Sequence, residues 1–155
     1  MPTYNEQYVQ KWIGYLNDID REMSRLAAQR LGESKNPIAV PALVGTLRNR
    51  PDDVRLAAVR SLGQIGDAGA INALVVLLDD MNPMIASTAA DALGEIGDDS
   101  AVPALRKVLR EYKKSISRHN QIHGDQRGLY TASVNALKRI GTRDALKAVE
   151  KYTTW

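Results

Sequence analysis

Leu62-Gly63-Gln64-Ile65-Gly66-Asp67 returns 31 residues later as Leu93-Gly94-Glu95-Ile96-Gly97-Asp98. Leu31-Gly32 stands one period earlier, and Leu137-Lys138-Arg139-Ile140-Gly141 arrives after 44 residues, one period plus 13. Self-similarity with a period of about 20–50 residues is the signature of stacked repeats, each a small unit that buries its apolar face only against its neighbours.

The period aligns the rest of the chain. Val40, Leu43 and Leu47 lie at helical spacing and return as Ile71, Leu74 and Leu78, and again as Val102, Leu105 and Leu109. One period upstream stand Val9, Trp12 and Leu16. Steps of three and four place each set on one stripe of a first helix, A. A second helix, B, carries Met23, Leu26, Ala27 and Leu31; Val54, Ala57, Ala58 and Leu62; Ile85, Thr88, Ala89 and Leu93; and Leu129, Ala132, Ser133 and Leu137. Small residues at the middle positions admit a neighbouring helix closely, and the terminal leucine fills the space between layers.

Turn and cap residues agree with this division. Pro41 and Pro103 suit the first turn of a helix, where the missing N–H costs little. Pro51 and Pro83 mark the A-to-B turns. Gly66, Gly97 and Gly141 are placed to close B helices with positive φ, and Asp67 and Asp98 to cap the next helix. Gly32, Gly63 and Gly94 lie one turn earlier, where close packing or a tightened last turn calls for glycine. A dinucleotide-binding loop would need a preceding strand, and the pattern offers none. The spacing predicts A helices near 5–17, 37–49, 69–80 and 100–116, B helices near 20–32, 52–65, 83–96 and 127–140, and a last helix near 142–152 with the A pattern in Leu146 and Val149.

The run Val54-Arg55-x-Ala57-Ala58-x-x-x-Leu62-Gly63-x-Ile65-Gly66-Asp67, followed by Ala70-Ile71-x-x-Leu74, resembles HEAT-like repeats, most closely the short variety first associated with phycobilisome lyases. Ala89-Ala90-x-Ala92-Leu93-Gly94-x-Ile96-Gly97-Asp98 with Val102-Pro103-x-Leu105 is a second copy. The resemblance implies an all-α, right-handed solenoid of helical hairpins, four pairs plus a C-terminal helix. It forms one domain over 1–155, with repeats near 5–34, 35–67, 68–98 and 99–141, an insertion near 110–127 and a terminal helix at 142–152. It also implies that B helices line the concave face. The family includes bilin lyase subunits, phycobilisome-disassembly factors and assembly scaffolds, so a phycobilisome component is the partner class it suggests. The Arg55 position becomes Ala86 and Tyr130, so an arginine ladder along the stack would be incomplete.

Composition narrows the function. There is no cysteine, which removes disulfides, thiolate metal sites and a thioether-held bilin on this chain. No apolar run is long enough to span a bilayer and no signal-peptide layout opens the chain, so a cytoplasmic location without membrane insertion is expected. Residues 1–100 carry 9 Lys/Arg against 14 Asp/Glu, and residues 101–155 carry 12 against 4, making the C-terminal part an electropositive pole. His119 and His123 are four apart, but neither belongs to a His-Glu pair of the di-iron hydroxylase kind, and the zincin glutamate is missing. No cofactor or metal is expected.

Aligning the non-core B positions yields Arg25 and Gln29; Leu56, Arg60 and Gln64; Ser87, Asp91 and Glu95; and Thr131, Asn135 and Arg139. This mixed surface, basic at both ends and acidic in the third repeat, suits a particular polar protein surface better than uniform phosphate tracking. Leu56 interrupts the polar series, either as a partner anchor or by folding back onto its neighbour. In the insertion, helix A4 is expected to run past its usual end before a polar loop returns the chain, with Tyr112, Lys113, Lys114, Arg118 and Arg127 available to carboxylates or phosphates. Asp91 and Glu95 are the one local carboxylate pair, yet an open helix face keeps them hydrated rather than catalytic. The leading expectation is a non-catalytic protein-interaction or assembly module. A bilin lyase subunit or chromophore-protein chaperone is one alternative. Nucleic-acid backbone binding along a continuous track of Lys113, Lys114, Arg118, Arg127, Arg139 and Arg143 is the other. Trp12 with Tyr4, Tyr8 and Tyr15, and Tyr152 with Trp155, are expected to cover the two ends of the stack.

Overall fold

A computed structural model describes residues 5–119 and 124–154, and all regular elements among them are helical. Four hairpins follow in order: α1 (Glu6–Tyr15) with α2 (Arg21–Ser34), α3 (Val40–Asn49) with α4 (Asp52–Ile65), α5 (Ile71–Leu77) with α6 (Pro83–Ile96), and α7 (Val102–His119) with α8 (Gly124–Ile140); α9 (Arg143–Thr153) completes the stack. The all-α solenoid of paired helices plus a final helix is the architecture that the repeat predicts.

The caps are periodic, which is why the hairpins are. Asn5, Asn36, Asp67 and Asp98 stand 31 residues apart, and their side chains accept from the backbone N–H of Tyr8, Ile38, Gly69 and Ser100. Thr142, 44 residues after Asp98, accepts from Ala145. After the first hairpin, α3, α5 and α7 each enter through one 3-10 turn, at Pro37–Ala39, Ala68–Ala70 and Asp99–Ala101. Gly66, Gly97 and Gly141 end α4, α6 and α8 at φ of 74°, 75° and 70°, as their spacing predicts. The first repeat breaks the rule: Lys35 holds this left-handed position at φ 50°. Because a Cβ is disfavoured there, Lys35→Gly should stabilise the chain by about 0.5–1 kcal/mol. A lower thermal midpoint for that variant would contradict this reading.

The core is one continuous cluster along the rod. Leu31, Leu62, Leu93 and Leu137 are fully buried, as are Leu43, Leu74 and Leu105 on the A helices. The most extensive contacts run between successive B helices, α2 with α4, α4 with α6 and α6 with α8. Their glycines explain the closeness. A Cβ at Gly32 would lie 2.6 Å from Ser61 Oγ, one at Gly63 3.0 Å from Ala92 Cα, and one at Gly94 2.6 Å from Ala136 Cα. The fourth copy has Lys138 at this position, and it is exposed. The A helices instead meet the 3-10 turn of the next repeat: α1 the Pro37–Ala39 turn, α3 the Ala68–Ala70 turn, α5 the Asp99–Ala101 turn. A tight B layer beside a spaced A layer bends the rod toward B, so the B helices line the inner face.

Three features depart from the sequence-based expectation. As expected, α7 runs past its usual end, to His119; the departure is that α8 already begins at Gly124, so most of the extra length extends the two helices. The apolar stripe of α7 simply continues through buried Tyr112 and half-buried Ile116. Leu146, expected on the buried stripe of the last helix, is 48% exposed, while Ala145 and Ala148 are buried. It occupies the register of Val40, Ile71 and Val102.

The arginine ladder is replaced rather than merely interrupted. Arg55 donates to the Leu47 carbonyl at 2.7 Å, to Asp52 at 2.8 Å and to Asp80 of the next A-to-B turn. In the first repeat Ser24 holds this position, and Arg50 reaches back to Ser24 Oγ and, at 2.6 Å, to the Asp18 carbonyl. In the fourth, Tyr130 stacks on Tyr112 with centroids 4.2 Å apart and donates its hydroxyl to the Tyr152 carbonyl at 3.3 Å. Burial first, and then Tyr112, pushes the Tyr130 phenol above its ordinary pKa.

Candidate functional site on the inner face

The B helices present their non-core positions together, but not as one uniform strip. In the first repeat Arg25 is half-buried and donates to Glu22 at 2.7 Å, a bond that raises its pKa; Gln29 beside it is exposed. In the second, Leu56 is half-buried against the core, so it folds back rather than projecting. Arg60 and Gln64 are exposed. Gln64 Oε1 and Glu95 Oε2 lie across the glycines of the preceding helix, Gly32 and Gly63, so their reach outward is partly set by that seat. Asp91 is half-buried and Glu95 exposed, four residues apart on α6. Asn135 and Arg139 are exposed on α8.

Between α6 and α8 this face opens into a cleft of about 490 Å³, lined by Ser87 and Asp91 on one wall and by Arg127, Gly128, Thr131, Ala132 and Asn135 on the other. Asp91 and Arg127 face the same cleft, yet form no ion pair with each other or with any other described residue. The sequence placed Arg127 in the insertion and Asp91 in the groove; the early start of α8 unites them.

The remaining insertion residues have other duties. Tyr112, expected to meet a partner, is only 7% exposed and packs on Tyr130. Its aromatic area is spent in the core because α7 and α8 stay paired beyond the usual repeat length. Lys113 donates to the Lys151 carbonyl at 3.3 Å and the Thr154 carbonyl at 3.0 Å, holding the C-terminal end of α9. Lys114 pairs with Glu111 at 3.4 Å; Arg110 is the larger influence on that carboxyl, and together they lower its pKa. Lys113 and Lys114 line a shallow depression with Arg110 and Tyr152, whereas Arg127 lines the inner cleft with Asp91. Lys113 and Lys114 thus line a different depression from Arg127. The side chains of Arg118, His119, His123 and Asp125 lie outside the described residues. Among the described residues no group of three or more His, Cys, Asp or Glu is arranged to hold a metal, and no helix is long and apolar enough to cross a membrane.

A second hollow was not legible in the sequence. Where α7 and α8 overhang the short α5, an apolar notch of about 250 Å³ lies between Val75, Leu78, Ala104, Val108 and Leu129, with Lys107 and Asp79 paired across its rim at 3.4 Å. Leu78 and Leu129 read as core in their own repeats; the unequal lengths of α5 and α7 leave them facing one notch. At the first end, Trp12 packs edge-on to Tyr8 with centroids 6.1 Å apart and tilted against Tyr15 at 5.6 Å, the expected cover. Tyr4 and Trp155 lie outside the described residues.

Residues 46–124, half of the chain, match the family of HEAT repeats. The chain belongs to that family. Its fold is similar to a chain in the solved complex of CpcE and CpcF of phycocyanin lyase from Nostoc sp. PCC7120, at TM-score 0.71 and 24% identity, with 94% of this HEAT-repeat chain and 63% of the other covered. It is also similar to two engineered proteins. One has TM-score 0.63 and 23% identity, covering 94% and 68% of the two chains; the other has 0.59 and 24%, covering 94% and 41%. This chain thus spans less than two thirds of the phycocyanin lyase chain. No curated protein matches the sequence.

Proposed function

We propose that this HEAT-repeat chain is a non-catalytic interaction or assembly module that grips another protein with its inner B-helix face. The observation that carries this is the cleft between α6 and α8, where Asp91 and Arg127 stand on opposite walls without an ion pair among the described residues, while ion pairs engage Arg21, Arg25, Arg30, Arg55, Arg110 and Lys114. Opposite charges on two walls, without an ion-pair partner among the described residues, favour a complementary partner and disfavour mismatched ones. A phycobilisome component is the partner class we favour, because the phycocyanin lyase structure that this fold resembles is itself a complex of two proteins. The same similarity favours a second reading, a subunit that helps present a bilin to another protein. With no cysteine, this chain would do so without a thioether of its own.

Affinity capture from the source cell, followed by calorimetric titration of the purified captured protein, tests the first reading. Arg60→Glu with Arg139→Glu should weaken binding about tenfold or more, each reversal replacing an attraction with a repulsion. Lys113→Ala with Lys114→Ala should leave affinity nearly unchanged and instead loosen α9. The opposite pattern, or affinity for arbitrary duplex DNA falling steeply with salt, would overturn it. Bilin titration followed by transfer to an apoprotein tests the second reading.

A further inference from the structure

The successive B helices touch at their C-terminal halves, through Gly32, Gly63 and Gly94, and their N-terminal ends are handled differently from pair to pair. Between α2 and α4 the ends are tied: Arg21 Nε donates to Asp53 Oδ2 at 2.7 Å. Between α4 and α6 they are tied again, Asn82 Nδ2 donating to Asp52 Oδ2 at 2.8 Å. Between α6 and α8 no such bond exists among the described residues. The register explains why. Arg21 in the first repeat corresponds to Asp52, Pro83 and Arg127, and Asp53 corresponds to Met84 and Gly128. The residues that would bridge α6 to α8 are therefore Pro83 and Gly128, neither of which has a polar side chain. A Cβ at Gly128 would meet nothing within 4 Å. The entrance stays open, and Arg127, the counterpart of Arg21, makes no ion pair among the described residues.

We infer that the α6–α8 cleft is a bipolar recognition site, taking a partner helix that presents a Lys or Arg and an Asp or Glu one turn apart. The partner's cation meets the Asp91 carboxylate, its carboxylate meets the Arg127 guanidinium, and Ser87, Thr131 and Asn135 supply hydroxyl and amide groups to the polar atoms between. A guanidinium and a carboxylate held on opposite walls admit a ligand carrying both signs and disfavour one carrying only one, because the unmatched charge then faces its like. On a helix, residues four apart project side by side, so one turn of a partner can address both walls. This site rests on the partner-binding reading above and specifies its chemistry.

The test uses the whole chain and three alanine-based helical peptides: one with Glu-Lys pairs spaced four apart, one with only Glu and one with only Lys at those positions. Backbone amide NMR at low salt should show the mixed peptide moving the signals of Ser87, Asp91, Thr131 and Asn135, and the single-sign peptides leaving them in place. Asp91→Asn and Arg127→Gln should each weaken the mixed peptide about fivefold or more, a charged contact each. Asp91→Arg with Arg127→Glu should bind it again, the helix lying in the reverse direction. Gly128→Leu, which keeps both charges and favours the helix, should block it. Equal response to all three peptides, an unmoved cleft, or single variants without effect would overturn the assignment. So would non-additive melting shifts of Asp91→Asn and Arg127→Gln, which would show the two residues closing on each other. If the cleft fails these tests while Arg60→Glu with Arg139→Glu still weakens the captured partner, only the bipolar assignment falls; if that double variant also binds normally, the partner-binding reading falls with it.

Discussion

Gly94→Ala is expected to destabilise the chain by about 2–3 kcal/mol, although alanine is the better helix former by about 1 kcal/mol. The new methyl would sit 2.6 Å from the Ala136 Cα and 2.9 Å from its Cβ. Both atoms belong to a neighbouring helix backbone or its rigid stub, so relief requires α6 and α8 to move apart. That movement would also open the packing around Leu93 and Leu137, both fully buried. Gly45→Ala is the control. It lies inside α3, exposed, with nothing within 4 Å of its added methyl, and should stabilise by up to about 1 kcal/mol through propensity alone. Urea unfolding of the two variants should move the midpoints in opposite directions. A Gly94→Ala variant as stable as the parent would mean that the B helices are not in backbone contact, and the inner face would lose its physical basis.

The same glycines show how far the sequence could be read. Their period gave the helices, their caps and the buried leucines, because each is a local property repeated every 31 residues. A local pattern also predicts that Gly66, Gly97 and Gly141 take positive φ, as they do. What the period could not convey is what happens where repeats differ. Arg50 substitutes for an arginine missing at Ser24 by reaching back from a different turn, a contact across 26 residues that no single-repeat alignment displays. Lys113 counted as a surface cation, but the terminal helix brings two backbone carbonyls to it. Tyr112 looked available for the same reason; it is buried and stacked on Tyr130 of α8. The candidate cleft was half legible. Asp91 was in the aligned groove and Arg127 in the insertion, but their meeting depends on where α8 starts. The openness between them depends on Pro83 and Gly128, residues that read as turn and loop signals.

Leu93→Ala should cost about 3–5 kcal/mol, and Leu62→Ala nearly as much. Both side chains are fully buried, one helical turn before the closing glycine, in equivalent places one period apart. Removing three carbons leaves a void whose walls cannot collapse, because the glycine contacts already hold adjacent B helices at their closest approach. Against a total stability of about 5–15 kcal/mol for a domain, this is about a fifth or more of the whole. A solenoid makes the loss spread in a particular way. Each repeat is stabilised by its neighbours, so weakening the third repeat weakens its interfaces with α4 on one side and α8 on the other. Hydrogen exchange of Leu93→Ala should therefore accelerate first in α6 and in the parts of α4 and α8 that face it, with α1 and α2 affected last. Leu62→Ala should shift that pattern one repeat toward the N-terminus. Two equal losses displaced by one period would follow from stacked, equivalent layers. A large loss at one leucine and none at the other would mean that the repeated letters occupy unrelated surroundings, and the inner face built from them would have to be abandoned.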